Sequence, residues 1–227
     1  MKFDKYTNVA RIFPAVITVF PIIILNSFLL DKEISEIIGQ TNTLFLVVEH
    51  VSVPVVFIYF FMQLNRLISK HFFEERMFKS GLNFPTTYLL LPNNKVLSKD
   101  YKTNILKKIA SEFGINIESE KRDTKEVRKK VCDAVGLVRT KVKDGRLVLQ
   151  HNIEYGFVRN LIGGSVTAVT ISVLDLILSY LRNEISILTI SVALGFFYLI
   201  VLVLSKFLLK KFGENYAKVL FQEYLAS

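Results

Sequence analysis

LIGGSVTAVTISVLDLILSYL (161–181) and, after residues 182–185, SILTISVALGFFYLIVLVLSKFLL (186–209) decide the fold of this chain. A helix rises about 1.5 Å per residue, so each run reaches across the ~30 Å hydrocarbon layer of a bilayer. The N-terminal half holds a matching pair, IFPAVITVFPIIILNSFLL (12–30) and TLFLVVEHVSVPVVFIYFFM (43–62). The links between partners, Asp31–Asn42 and Arg182–Ile185, are short, so each pair reads as an antiparallel helical hairpin. Between the hairpins lie almost one hundred residues of basic, polar sequence.

Composition agrees with alternating lipid and aqueous segments. Mean hydropathy is +0.39, yet 22% of the 227 residues are charged. Of the 29 Lys and Arg residues, 20 fall in residues 63–160, where only 11 acids oppose them. Lys32 and Arg182 alone sit in the links between paired spans. The positive-inside bias therefore predicts that both tails and the middle segment are cytoplasmic. Residues 26–31, Asn26-Ser27-Phe28-Leu29-Leu30-Asp31, carry no small-x-small cleavage pattern, which favours a retained first span over a signal peptide. The expected domains are a tail (1–11), a first hairpin (12–62), a basic cytosolic domain with helical stalks (63–160), a second hairpin (161–209) and a C-terminal cytosolic helix (210–227).

Within the middle segment the spacing predicts helices over Lys99–Phe113, N-capped by Ser98 and closed by Gly114, and over Thr124–Lys143. Tyr88–Leu91 reads as a short strand or packed loop. The second span is expected to kink at Pro54 and run on as a helix through Gln63–Lys79; the fourth runs on through Lys206–Leu225. The expected fold class is an all-α membrane protein, four transmembrane helices in two hairpins with a mostly helical cytosolic domain inserted between them.

Three groups of residues are candidate sites. Glu49 and Asp175 each lie six residues inside a predicted span, about 9 Å below its outer boundary. With His50 and Ser172 they form a candidate intramembrane polar cluster, because ionisable groups at that depth face protein or water rather than lipid. Gly164, Ala168, Ser172, Asp175 and Ser179 fall on one side of the third span, a small and polar stripe suited to close helix approach. The cluster reads either as a polar lumen or as a hydrogen-bonded clamp between hairpins. The second group is the basic face of the Thr124–Lys143 helix: Lys125, Arg128, Lys129, Arg139 and Lys143 border Val127, Val131, Ala134, Val135, Val138 and Val142. Such a face suits either an anionic inner leaflet or the core of the cytosolic domain. The third is Asn152, Tyr155, Arg159 and Asn160, where the third span enters the membrane; it reads as an interface anchor or a coupling hinge.

No nucleophile–base pair and no cluster of metal-ligand spacing stands in the sequence, and the lone Cys132 reads as helix packing. The chain is therefore expected to be non-enzymatic, with no cofactor and no metal. Expected partners are the lipid bilayer with its anionic inner leaflet, further copies of the chain, and a cytosolic protein or signal. The basic surface also admits nucleic acid or a nucleotide.

The stretch Asn152-Ile153-Glu154-Tyr155-Gly156-Phe157-Val158-Arg159-Asn160-Leu161, together with Phe84-Pro85-Thr86-Thr87, resembles small four-span membrane proteins of bacterial anti-phage defence loci, among them effector-like proteins linked to nucleotide signalling. The resemblance implies an inner-membrane effector that oligomerises, receives a cytosolic signal and permeabilises the membrane or recruits a partner. It carries over no catalytic residue and no ligand motif. A small ion or proton channel using Glu49 and Asp175 is the alternative reading.

Overall fold

The computed structural model describes the backbone of residues 4–25 and 43–227 and the side chains of 4–25 and 55–227. Every regular element among the described residues is helical. In chain order the α-helices of six or more residues are α1 (Phe13–Ile24), α2 (Thr43–Ile68), α3 (Pro85–Leu90), α4 (Lys99–Phe113), α5 (Lys125–Lys141), α6 (Arg146–Leu181), α7 (Ile185–Val203) and α8 (Ser205–Ala226). Two π-helical segments, Asn8–Ile12 and Ser69–Glu74, precede α1 and follow α2. Among the described residues three helical stretches, Lys5–Ile24, Arg146–Leu181 and Ile185–Val203, are long and apolar enough to cross a membrane. The chain divides into two compact units, Met1–Lys70 with Phe157–Ser205, and His71–Gly156 with Lys206–Ser227.

Beside a small apolar cluster of Ala15, Phe61 and Met62, the first unit sorts many side chains inside out by the standards of a water-soluble domain. α1 turns Phe13, Val16, Phe20 and Ile23 outward and buries Pro14, Ala15, Thr18 and Pro21. α7 exposes Ile190, Val192, Phe196, Phe197 and Val203 while burying Ser191 and Tyr198. Asn65, Ser69, Asn160, Ser165, Asp175 and Ser179 are each 0% exposed. Water would drive the opposite sorting, since apolar burial is the main driving force of folding there. In lipid that drive between helices disappears, and small and polar residues become the contact surface.

The second unit has an ordinary hydrophobic core. Leu90, Leu91, Ile105, Ile109, Val131, Ala134, Val138, Leu220 and Phe221 gather there with Tyr224. Its helices end where the sequence says they should. The Ser98 hydroxyl accepts from the Tyr101 amide at 3.4 Å and Gly114 closes α4 at φ +70°. The Thr124 hydroxyl accepts from the Val127 amide at 3.2 Å and opens α5. Lys79, Ser80 and Gly81 all have positive φ and turn the chain after the α2 extension, which is helical through Phe78 as expected.

One expectation changes and one open choice is decided. Residues 88–91 are not a strand: Pro85, with φ fixed for a first helical position, starts the short helix α3. Of the two readings of the apolar face of α5, leaflet or domain core, the core is the one found. Val127, Val131, Ala134, Val135, Val138 and Val142 are at most 5% exposed and belong to the core of the second unit. The same amphipathic pattern serves either surface, and here α3, α4 and α8 supply the covering residues.

Candidate functional site

Along α6 the side predicted to be small and polar is the buried side: Gly164, Ala168, Ser172, Asp175 and Ser179 all face inward. From Asn160 to Asp175 the seam runs 15 residues, about 22 Å. Two levels of this seam differ in chemistry.

The lower level is a lock between helices. Pro14 has no N–H to give the Ala10 carbonyl four residues back, and Pro21 has none for the carbonyl of Ile17. Each abandoned carbonyl is taken by a side chain from a distant helix. Asn160 Nδ2 of α6 donates to the Ala10 carbonyl at 2.6 Å, and the Tyr198 hydroxyl of α7 donates to the Ile17 carbonyl at 2.6 Å. The prolines thus convert α1 from a self-sufficient helix into one that needs both neighbours, the way membrane helices accommodate proline. Asn65 of α2 adds a third tie, donating at 2.9 Å to the Thr18 hydroxyl, which itself turns back to the Pro14 carbonyl at 2.9 Å. Gly163 and Gly164 make the crossing with α2 close: a Cβ on Gly163 would collide with the Asn65 carbonyl and Ser69.

The upper level is open in its hydrogen bonding. Most hydroxyls of the seam satisfy themselves within their own helix. Ser165 donates to Leu161 at 2.8 Å, Ser179 to the Asp175 carbonyl at 2.5 Å, and Ser191 to Ile187 at 2.9 Å. Ser172 and Asp175, one helical turn apart, do not. The Ser172 hydroxyl and both Asp175 carboxyl oxygens are buried with no hydrogen-bond partner among the described residues. Gly195 of α7 faces the Ser172 side chain, and a Cβ there would meet it at ordinary contact distance. A buried carboxyl group in an apolar surround is costly unless it holds a proton, a cation or a partner. Glu49 and His50, the other predicted members, lie on α2 outside the described side chains.

The remaining candidates do not form single sites. Asn160 is the node of the lower lock in the first unit, and Arg159 is half-buried beside it in sequence. Tyr155 belongs to the second unit, where its ring stands edge-on to Phe84 at 5.5 Å; Asn152 is half-buried in the same unit. The basic face of α5 is also divided. Arg128 is held by both carboxyl oxygens of Asp123, at 2.7 and 2.6 Å, and Arg139 lies over the Tyr216 ring at 5.7 Å. Lys125, Lys129 and Lys143 are exposed.

Two further residues of the second unit are perturbed by their surroundings. Burial pushes the Lys102 ammonium below its ordinary pKa while it donates to the carbonyls of Leu91, Pro92 and Asn94. The Lys141 ammonium, 2.5 Å away, holds the Glu112 carboxyl below the usual range, with help from the Tyr224 hydroxyl at 3.0 Å. Lys102 ties α4 to the segment that follows α3, and the Glu112 contacts fasten α4, α5 and α8 together. Among the described residues no group of His, Cys, Asp and Glu is placed to hold a metal ion.

Sequence reading missed Asn65, Thr18 and Tyr198. The signal was present in Pro14 and Pro21, which announce orphaned carbonyls without naming their partners. Comparison with known proteins returns no matching family model, no matching curated protein and no matching solved structure.

Proposed function

We propose that the chain is a non-enzymatic, multi-pass effector of the cell inner membrane. In this reading α2 is a fourth span beside the three already apolar and long enough, and both termini and the basic unit face the cytoplasm. The basic unit receives a cytosolic signal or partner. The bundle, assembled with further copies of the chain, answers by letting ions through along the Ser172–Asp175 level of the seam. The resemblance of residues 152–161 and 84–87 adds a setting, defence of a bacterium against phage.

The observation that carries this reading is Asp175: fully buried on a helix with an apolar outer face, and unpartnered among the described residues. An ionisable group at that depth is the kind that proton- and cation-handling pathways use. The same residue supports a second reading, a constitutive channel or transporter using Glu49 and Asp175. Purified protein in liposomes, with an imposed potassium gradient and a pH dye inside, separates the possibilities. Flux that is lost in Asp175→Asn at equal incorporation supports an ion pathway, and flux without any added cytosolic component favours the constitutive channel. Flux equal in wild type and Asp175→Asn removes the carboxyl group from the mechanism.

A further inference from the structure

The second unit contains a cleft of about 700 Å³, within the range of small-molecule sites. Its apolar surface comes from Phe78, Pro85 and Leu89, all buried, and its mouth carries Tyr88, which is 49% exposed. The sequence builds this hollow locally. The left-handed turn at Lys79–Gly81 returns the chain, the Thr87 hydroxyl fastens α3 to the Gly81 carbonyl at 3.0 Å, and α3 then presents Tyr88 outward.

Arg128, Lys210 and Lys218 line the cleft against the single carboxylate of Glu214. Arg128 is held by Asp123 and by the Asn83 side-chain carbonyl. With Arg128 already paired to Asp123, the cations the cleft leaves to a ligand are Lys210 and Lys218. Lys210, Glu214 and Lys218 are spaced by four and so form one row along α8. Lys210 meets Glu214 only at 4.0 Å with its side chain 68% exposed, a contact worth little, so its ammonium is available to a ligand.

The geometry points to this cleft as a binding site for a small aromatic anion, a planar ring carried on Tyr88 and a phosphate or carboxylate group held by the Lys210–Lys218 row. A nucleotide-sized molecule fits both the volume and the two chemistries. Ring stacking and charge-assisted hydrogen bonds would each contribute, and neither half alone fills the site. Only the role of this ligand as the trigger of the membrane unit rests on the function proposed above; binding itself does not.

The test is equilibrium dialysis of the purified full chain in detergent at low salt, with AMP, adenosine and inorganic phosphate as separate probes. The expected result is saturable AMP binding, about tenfold tighter than either adenosine or phosphate. Tyr88→Ala and Lys218→Glu, both at exposed positions, should each weaken it about tenfold, while Lys107→Glu, the same charge change outside the cleft, should leave it unchanged. Absent AMP binding, equal binding of phosphate and AMP, or equal weakening by Lys107→Glu would overturn the assignment. Because no flux is measured, a failure here is distinct from a failure of Asp175 in liposomes.

Discussion

Replacing Tyr198 by Phe removes one hydroxyl from a side chain that is 1% exposed, and with it the donor that α7 offers to the Ile17 carbonyl. Shape and apolar area are almost unchanged, so the cost is that of an orphaned carbonyl in the bundle interior. Such a group costs about 1–3 kcal/mol in general, and interhelical hydrogen bonds in membranes are worth about 0.6–2 kcal/mol. A destabilisation of about 1–1.5 kcal/mol is therefore expected, close to tenfold in the folding equilibrium. The decisive comparison adds Pro21→Ala. Alanine restores the N–H that the Ile17 carbonyl lacks, so in that background Tyr198→Phe should cost less than about 0.5 kcal/mol. The cycle cancels whatever Pro21→Ala does to α1 by itself. Unfolding is followed by circular dichroism at 222 nm in mixed micelles under denaturing detergent, since the chain has no Trp to report fluorescence. An equal cost of Tyr198→Phe in both backgrounds would refute the idea that proline creates the need and tyrosine meets it.

Three other substitutions probe the remaining contacts. Gly163→Ala places a Cβ against the Asn65 backbone carbonyl and Ser69, so the bundle should lose about 1–3 kcal/mol in the same detergent titration; an unchanged midpoint would mean the crossing is looser than described. Val131→Ala in α5 opens space in a fully buried core position and should cost about 1–3 kcal/mol, read as early protease cleavage within residues 71–156; wild-type resistance would argue for a surface helix. Glu112 has a folded pKa depressed below its ordinary 4.5, with the hydrogen bond from Lys141 as the main cause. It therefore stabilises the fold above about pH 4.5 and loses that contribution as pH falls through the depressed value. Glu112→Gln should flatten the acid limb of a melting-temperature profile while a variant such as Glu118→Gln leaves it in place.

Much of the fold is legible in the chain itself because its signals are local. Hydropathy and length mark the apolar helices, Ser98 and Gly114 bracket α4, and the spacing of Gly164, Ala168, Ser172, Asp175 and Ser179 foretells which side of α6 is buried. What stayed hidden depends on distance along the chain. Asn160 lies 150 residues from Ala10, and Tyr198 lies 181 from Ile17. Nothing local tells a proline which side chain will relieve its carbonyl. α5 shows a different limit. Its valine stripe with a basic border is equally suited to a leaflet and to a core, and only the residues of α3, α4 and α8 decide between them. α3 was misread for a smaller reason, because Thr86-Thr87-Tyr88 favours strand by propensity while Pro85 at the first helical position favours helix.

The inside-out bundle requires that its exposed apolar side chains meet lipid. Spin labels at Phe196→Cys and Ile177→Cys, with Leu137→Cys of the second unit for comparison and Cys132 replaced by Ser, measure this in reconstituted bilayers by accessibility to oxygen and to a water-soluble nickel chelate. Labels at 196 and 177 should be reached by oxygen and shielded from the chelate, while 137 shows the reverse. Chelate access at 196 and 177 matching that at 137 would contradict the membrane placement, and with it the role assigned to Asp175.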